Sequence, residues 1–304
     1  MTIEPGVGDP GRALTPRSIT APTCTGQFLD QGAQLLRWQP AGVEESVVWV
    51  SERARLERGV AVRGGIPVCW PWFGPGRGAA PAEPAHGPVR TALWRLRETN
   101  WSADGVHVSA ALSSDDVRTP HFPHPYRLRL DAWFGTQLRV VLTTTNTGAQ
   151  PVEFEEALHA YLAVGDVRQV HLDGLDGVAY RDKVTAGDVV QQGPLRLDGE
   201  TDRVYRSAGP VTIHDPVLRR RLVVHTAGAA NVVVWNPGAV KAAAVSDIGG
   251  GWPGFVCVEA ANALADGVTL EPGESHTLAY RLQVRPLTDQ LVDASVDPPG
   301  SVDG

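Results

Sequence analysis

Five stretches of the chain carry residue types that could bind a polar small molecule or move protons on it. Arg63-Gly-Gly-Ile-Pro-Val-Cys-Trp-Pro-Trp-Phe-Gly74 sets an arginine before a Gly-Gly turn, followed by bulky aromatics held between prolines. Glycine permits positive φ and close backbone approach. Guanidinium suits planar anions, and an aromatic wall suits a sugar ring. The same block would also serve as a tight turn over core tryptophans. His86-Gly-Pro-Val-Arg90, with Trp94 behind it, fits a loop presenting a cationic, hydrogen-bonding edge. On Glu156-Ala-Leu-His159-Ala-Tyr161, a strand would put His159 and Tyr161 on one face, where a histidine also finds a place as a satisfied core group. Glu200-Thr-Asp-Arg-Val-Tyr205, with Asp202, is a charged turn before a strand, equally compatible with a solvated surface. In Phe255-Val-Cys-Val-Glu259-Ala-Ala-Asn262 a carboxylate closes an apolar run, a costly position unless the charge is paired or at work. His121-Phe-Pro-His124 has the spacing of metal ligands, but its prolines and its lack of a nearby carboxylate or cysteine argue against one; no metal is expected.

The elements that must carry these residues read as strands. Period-two runs occur at 46–51, 106–112, 127–134, 138–144, 211–214, 218–226, 231–235, 255–259 and 276–284, rich in valine, threonine and aromatics. With 33 glycines and 24 prolines, turn residues punctuate the runs. No stretch holds a helical stripe, and strands do not alternate with helices. The fold class is therefore all-β, an antiparallel sandwich or barrel.

The 304 residues, 42% hydrophobic and 20% charged, suit a globular chain large enough to need no disulfide or metal staple. One domain is expected at 23–288, between disordered tails at 1–22 and 289–304, both rich in glycine and proline. A net charge of −7 removes the electrostatic footprint of a nucleic-acid binder. No apolar run is long enough for a membrane span, and 1–23 lacks the apolar core of a secretory signal. Three scattered cysteines read as a reducing, cytoplasmic setting. A monomer is expected. Nucleotide-binding, zinc-protease and nucleophile-elbow signatures are absent, and no cofactor is expected.

In order and spacing, these stretches resemble the aldose 1-epimerase superfamily, in its hexose-6-phosphate mutarotase branch. Further support comes from Val48-Trp-Val-Ser51, Val164-Gly-Asp166, Gly174-Leu-x-Gly177 and Val234-Trp-Asn-Pro237. The resemblance implies a large antiparallel β-supersandwich with the sugar site on a concave sheet face. It implies interconversion of sugar anomers, with Glu259 as base on the O1 hydroxyl and His159 as acid at the ring oxygen, the first ionised and the second protonated. Arg63 and Arg90 would surround the 6-phosphate, His86 would line the same site, and Asp202 would hold sugar hydroxyls. A small sugar phosphate is the implied partner. Ala85 and Pro88 depart from the glutamine and aromatic that relatives usually carry. A mutarotase of unphosphorylated aldoses and a non-catalytic carbohydrate-binding protein are the alternatives.

Overall fold

The computed structural model describes residues 2–4, 13–75, 84–117, 119 and 121–287. Two large sheets dominate. A nine-stranded sheet runs from Leu195–Arg196 through His171–Asp173, Val211–Asp215, Arg220–Ala227, Ser275–Pro286, Leu138–Asn146, Tyr126–Gly135 and Gly105–Ser113 to Arg95–Ser102. An eight-stranded sheet runs from Gly187–Val190 through Ala179–Asp182, Thr201–Tyr205, Asn231–Asn236, Phe255–Asn262 and Glu156–Leu158 to Val68–Cys69, with Tyr161–Ala163 also on Phe255–Asn262. Neighbours pair antiparallel throughout both sheets. The chain thus has the all-β, supersandwich architecture that its patterning and resemblance imply.

The alternation of side chains joins the sheets. In Tyr126–Gly135, Leu128, Leu130 and Phe134 point into the core while Arg127 and Arg129 face water. Leu222, Val224, Leu278 and Leu282 of the same sheet share that core with Val232, Val234, Val256, Val258 and Ala260 of the other. Each fully buried side chain of this size contributes about 1.5–3 kcal/mol. Phe255–Asn262 is buried at all eight positions. Its even-numbered residues Val256, Val258 and Ala260 enter the core between the sheets, while Phe255 and Cys257 pack on the other face with Tyr161. Glu259 shares that second face.

Three sequence expectations change. The expected tail at 1–22 contains strands Thr2–Glu4 and Arg17–Ala21, which form a four-stranded sheet with Cys24–Leu29 and Gln34–Pro40. Only Ile19 of Arg17–Ala21 is buried, so no apolar rhythm marks the strand; backbone pairing and the Arg17–Asp30 ion pair at 2.6 Å hold it. The run at 46–51 makes only isolated bridges, at Val48 and Val50. A seven-residue α-helix, Gly238–Ala244, and two short 3-10 turns, Pro88–Arg90 and Gly249–Gly254, interrupt the strands. The expected tail at 289–304 lies outside the described residues. Among the described residues no helix is long and apolar enough to cross a membrane.

Candidate active site

Strand register brings the two proton-transfer candidates together. Leu158 pairs with Ala260, and Tyr161 pairs with Cys257. His159 therefore falls opposite Glu259 on the face away from the core, where directly opposed side chains approach most closely. His159 Nε2 lies 3.4 Å from Glu259 Oε1, longer than a strong charge-assisted hydrogen bond. Glu259 is 1% exposed and His159 7%. Among the described residues, neither Glu259 oxygen nor His159 Nδ1 has a hydrogen-bond partner. Unpartnered polar atoms at such depth are costly, which singles out the pair as a place for something other than stability.

Burial acts on both groups in the same sense. Desolvation, then the nearby Asp202 charge, pushes the Glu259 carboxyl well above the usual carboxylate range against the pull of Lys183 and Arg90. Desolvation, followed by His86, Arg90 and Arg63, holds His159 well below the usual histidine range. Burial thus biases the pair toward a neutral carboxylic acid facing a neutral imidazole, whereas the resemblance implies the ion pair. The two descriptions contain the same number of protons, and one becomes the other by transfer of a single proton across the gap.

Cations ring this pair. Arg63 follows the loop after Val62 and donates from Nε to Asp247 Oδ1 and from Nη1 to the Tyr161 hydroxyl, both at 3.1 Å. Gly64 next to it has φ +112°, and a Cβ there would come within 2.5 Å of Val50 Cα, so the turn that aims Arg63 admits only glycine. Tyr161 stacks on the His159 ring at 4.9 Å. Arg90 closes the 3-10 turn Pro88–Arg90, and its Nε is buried with no partner among the described residues. Lys183 pairs with Asp202 at 3.3 Å and sits over the Phe73 ring at 5.3 Å. The register explains that meeting: Asp202 opposes Trp235, Trp235 opposes Cys257 and Cys257 opposes Tyr161, a row across one sheet face that Lys183 extends through its backbone bond to Asp202.

His86 stands edge-on to His159 at 5.6 Å between ring centroids. The Gly74 N–H donates to His86 Nδ1 at 3.2 Å, which leaves the ring proton on Nε2. Burial, then Arg90, Lys183 and Arg63, lowers its pKa to about 3, so His86 is a neutral donor. Gly87 fixes the loop: with φ 77°, its α-carbon lies so near the Trp70 carbonyl that a Cβ would be 1.8 Å from that oxygen. Glu155 ties the aromatic loop to the turn after Phe255–Asn262, accepting from Phe73 N at 3.0 Å and Leu264 N at 2.7 Å.

The six residues singled out in the sequence thus act on one another, Arg63, His86 and Arg90 on His159 and Asp202 and Arg90 on Glu259, and the match to known proteins spans them. The chain matches the aldose 1-epimerase family over residues 18–283. It belongs to that family. An Escherichia coli K12 protein named "putative glucose-6-phosphate 1-epimerase" is 38% identical over 251 residues, which cover 81% of this chain and 82% of the relative. A Cenchrus ciliaris protein of the same name is 30% identical over 270 residues, 84% of this chain and 79% of the relative. The crystal structure of a Salmonella typhimurium "putative mutarotase" superposes with TM-score 0.84 at 32% identity, covering 93% of this chain and 97% of that one. The chain is an enzyme of this epimerase and mutarotase family.

Some residues around the candidate site escape the sequence pattern. Lys183 is one of only two lysines, a signal available in the composition but detached from any motif. Asp247 lies 184 positions from the arginine it holds, beyond any local pattern. The departing Ala85 is exposed, whereas Pro88 begins the 3-10 turn that ends in Arg90, a position where its fixed φ suits the turn. His121 and His124 lie in a loop, their rings edge-on to Trp72 and Phe122. All three cysteines are free and buried; burial pushes the Cys69 thiol up to about 12, so it packs as an apolar group.

Proposed function

We propose that the chain interconverts the α and β anomers of a hexose 6-phosphate, glucose 6-phosphate foremost, by opening and reclosing the sugar ring. The observation that carries this reading is the buried, unpartnered Glu259 carboxyl facing His159 at 3.4 Å beneath Arg63, Arg90 and Lys183. A sugar edge laid over the pair brings its O1 to Glu259 and its ring oxygen to His159. Hydroxyl donors from that edge solvate the Glu259 carboxylate and draw the pair into its ionised form. Glu259 then removes the O1 proton, the C1–O5 bond breaks with its electrons going to O5, and His159 delivers a proton there. The product is an open-chain aldehyde above a neutral acid and a neutral imidazole, the protonation state that burial already favours. Rotation about C1–C2 and reversal of the steps gives the other anomer. Only protons move, so these side chains suffice without a cofactor.

Arg63 and Arg90 hold the 6-phosphate, with the His86 Nε2–H beside them, while Asp202 with Lys183 engages sugar hydroxyls. A neutral sugar would leave Arg90, whose Nε is buried with no partner among the described residues, without an anionic partner. In this reading the body expected at 23–288, together with the strand Arg17–Ala21 that joins its sheet, acts as one catalytic domain, a monomer working in the cytoplasm where sugar phosphates occur. The test is anomer exchange at C1, followed by NMR on glucose 6-phosphate and free glucose in parallel. Acceleration of the phosphate ester alone is expected. Equal acceleration of both would make the chain a mutarotase of unphosphorylated aldoses, and acceleration of neither, by folded protein, would leave a carbohydrate-binding role.

A further inference from the structure

The outer face of the nine-stranded sheet carries a second chemical cluster, remote in register from the sugar face. His171 and Asp173 are two apart on one strand, so both side chains leave the same face. Leu172 between them is fully buried in the core between the sheets, which turns the pair outward. His214, on the neighbouring strand Val211–Asp215, is directly opposite His171. The two imidazoles stack in parallel, 7° apart in plane and 4.4 Å between centroids. His214 Nε2 lies 2.8 Å from Asp173 Oδ2. One ligand-capable atom from each residue falls within 4.8 Å of the others, the one such set among the described residues.

We infer that His171, Asp173 and His214 form a surface site for a borderline divalent ion such as Zn²⁺ or Ni²⁺. Two imidazole nitrogens and one carboxylate oxygen are the donor set these ions favour, and three protein ligands leave coordination positions open to water. Ligand distances near 2.0–2.2 Å require the three donor atoms to close to about 3.3 Å, a change that rotation about the side-chain bonds supplies. The ion takes the place of the proton between His214 Nε2 and Asp173 Oδ2, and that ring keeps its remaining proton on Nδ1. Two cations share this face: Arg196 opposes His171, and Arg221 opposes His214. Arg196 is exposed and Arg221 donates from Nε to the Pro286 carbonyl at 3.2 Å, so they weaken the site without blocking it. A bound ion joins two strands near the sheet edge, where His171–Asp173 is flanked on its other side by only the two-residue strand Leu195–Arg196.

The experiment is calorimetric titration of tag-free, metal-stripped full-length protein with Zn²⁺ and with Ni²⁺ at pH 7.5, alongside thermal unfolding at each metal concentration. One ion per chain is expected, with the unfolding midpoint rising as metal saturates. His171→Ala and His214→Ala should each weaken binding at least tenfold and abolish the rise in midpoint. Their circular dichroism and C1 anomer exchange on glucose 6-phosphate should match the parent, since neither residue faces the sugar site. No saturable binding, or binding unchanged in both variants, would overturn the inference. Loss of anomer exchange in the parent bears on the proposed function and leaves this titration interpretable.

Discussion

At the scale of single residues, the site is built on one carboxyl that the fold declines to satisfy. Replacing Glu259 by Gln removes the base while keeping its shape, so kcat for anomer exchange should fall by about 10² to 10⁴. The unfolding midpoint should stay within the small range typical of substitutions that remove no packing; a variant retaining full turnover would move the base elsewhere. The opposite shifts of Glu259 and His159 also predict a pH profile. The active pair holds one shared proton, lost as pH rises through the raised Glu259 value and doubled as pH falls through the lowered His159 value. The ratio kcat/KM, which reports the free enzyme, should therefore fall above the raised Glu259 value and below the lowered His159 value, whereas an ordinary histidine base would titrate near pH 6.5. Arg90 offers a complementary test. Arg90→Ala should raise KM for glucose 6-phosphate by about tenfold or more, the worth of a charge-assisted contact, with kcat little changed.

Elements, and not motifs, decide which residues meet. The alternation in 127–134 and 138–144 was enough to assign an all-β chain, because each of those strands buries one face deeply, while Phe255–Asn262 is buried on both. Strands such as Arg17–Ala21 and Gly187–Val190 expose most of their side chains and are held by backbone pairing, so no apolar rhythm could announce them. Of the catalytic candidates, Glu259 was legible as a carboxylate closing an apolar strand, whereas His159 read equally well as a core histidine and was marked out only by the resemblance. What spacing alone could not say is that one unbroken register carries Leu158 on Ala260 and Tyr161 on Cys257, so that His159 lands on Glu259. Long-range partners such as Asp247 and Lys183 were invisible for the same reason, since their contacts exist only after the sheet forms. Loop geometry follows this logic at His86-Gly87. A methyl group on Gly87 would overlap the Trp70 carbonyl, so Gly87→Ala must shift the turn that carries both His86 and Arg90. We expect loss of stability of several kcal/mol, the scale of strain at a position closed to side chains, and a raised KM in whatever folds. Normal urea unfolding and normal kinetics together would show that the loop has room to relax.

Across the whole molecule, the two sheets meet mainly through apolar contact, with a few polar groups placed between or beside them. Tyr280, fully buried on the inner face of Ser275–Pro286, has a hydroxyl without a partner among the described residues. Tyr280→Phe should be neutral or stabilising by about 1 kcal/mol, since it removes an unpaired polar atom and leaves the ring in place. A second polar group does the opposite and ties the sheets together. His276 of the nine-stranded sheet reaches Glu156 of the eight-stranded sheet, Nε2 to Oε1 at 3.1 Å, and the same carboxylate accepts from Asn262 Nδ2 at 3.0 Å. The hydrogen bond to Glu156 raises the His276 pKa above its ordinary 6.5, outweighing burial, with further support from the Glu156 charge and the Gly228 carbonyl. Because the folded value exceeds the unfolded one, folding binds the proton more tightly. The resulting stability is complete below about pH 6.5 and is lost as pH rises through the raised folded value. Urea unfolding of the parent should therefore show a stability increment that fades over this interval. In His276→Gln that portion of the pH dependence should disappear, the variant approaching the parent on the alkaline side and falling short of it on the acid side. An unchanged slope in the variant would mean that the sheets are held by their apolar faces alone and that this buried carboxylate is neutralised by its neighbours on its own sheet.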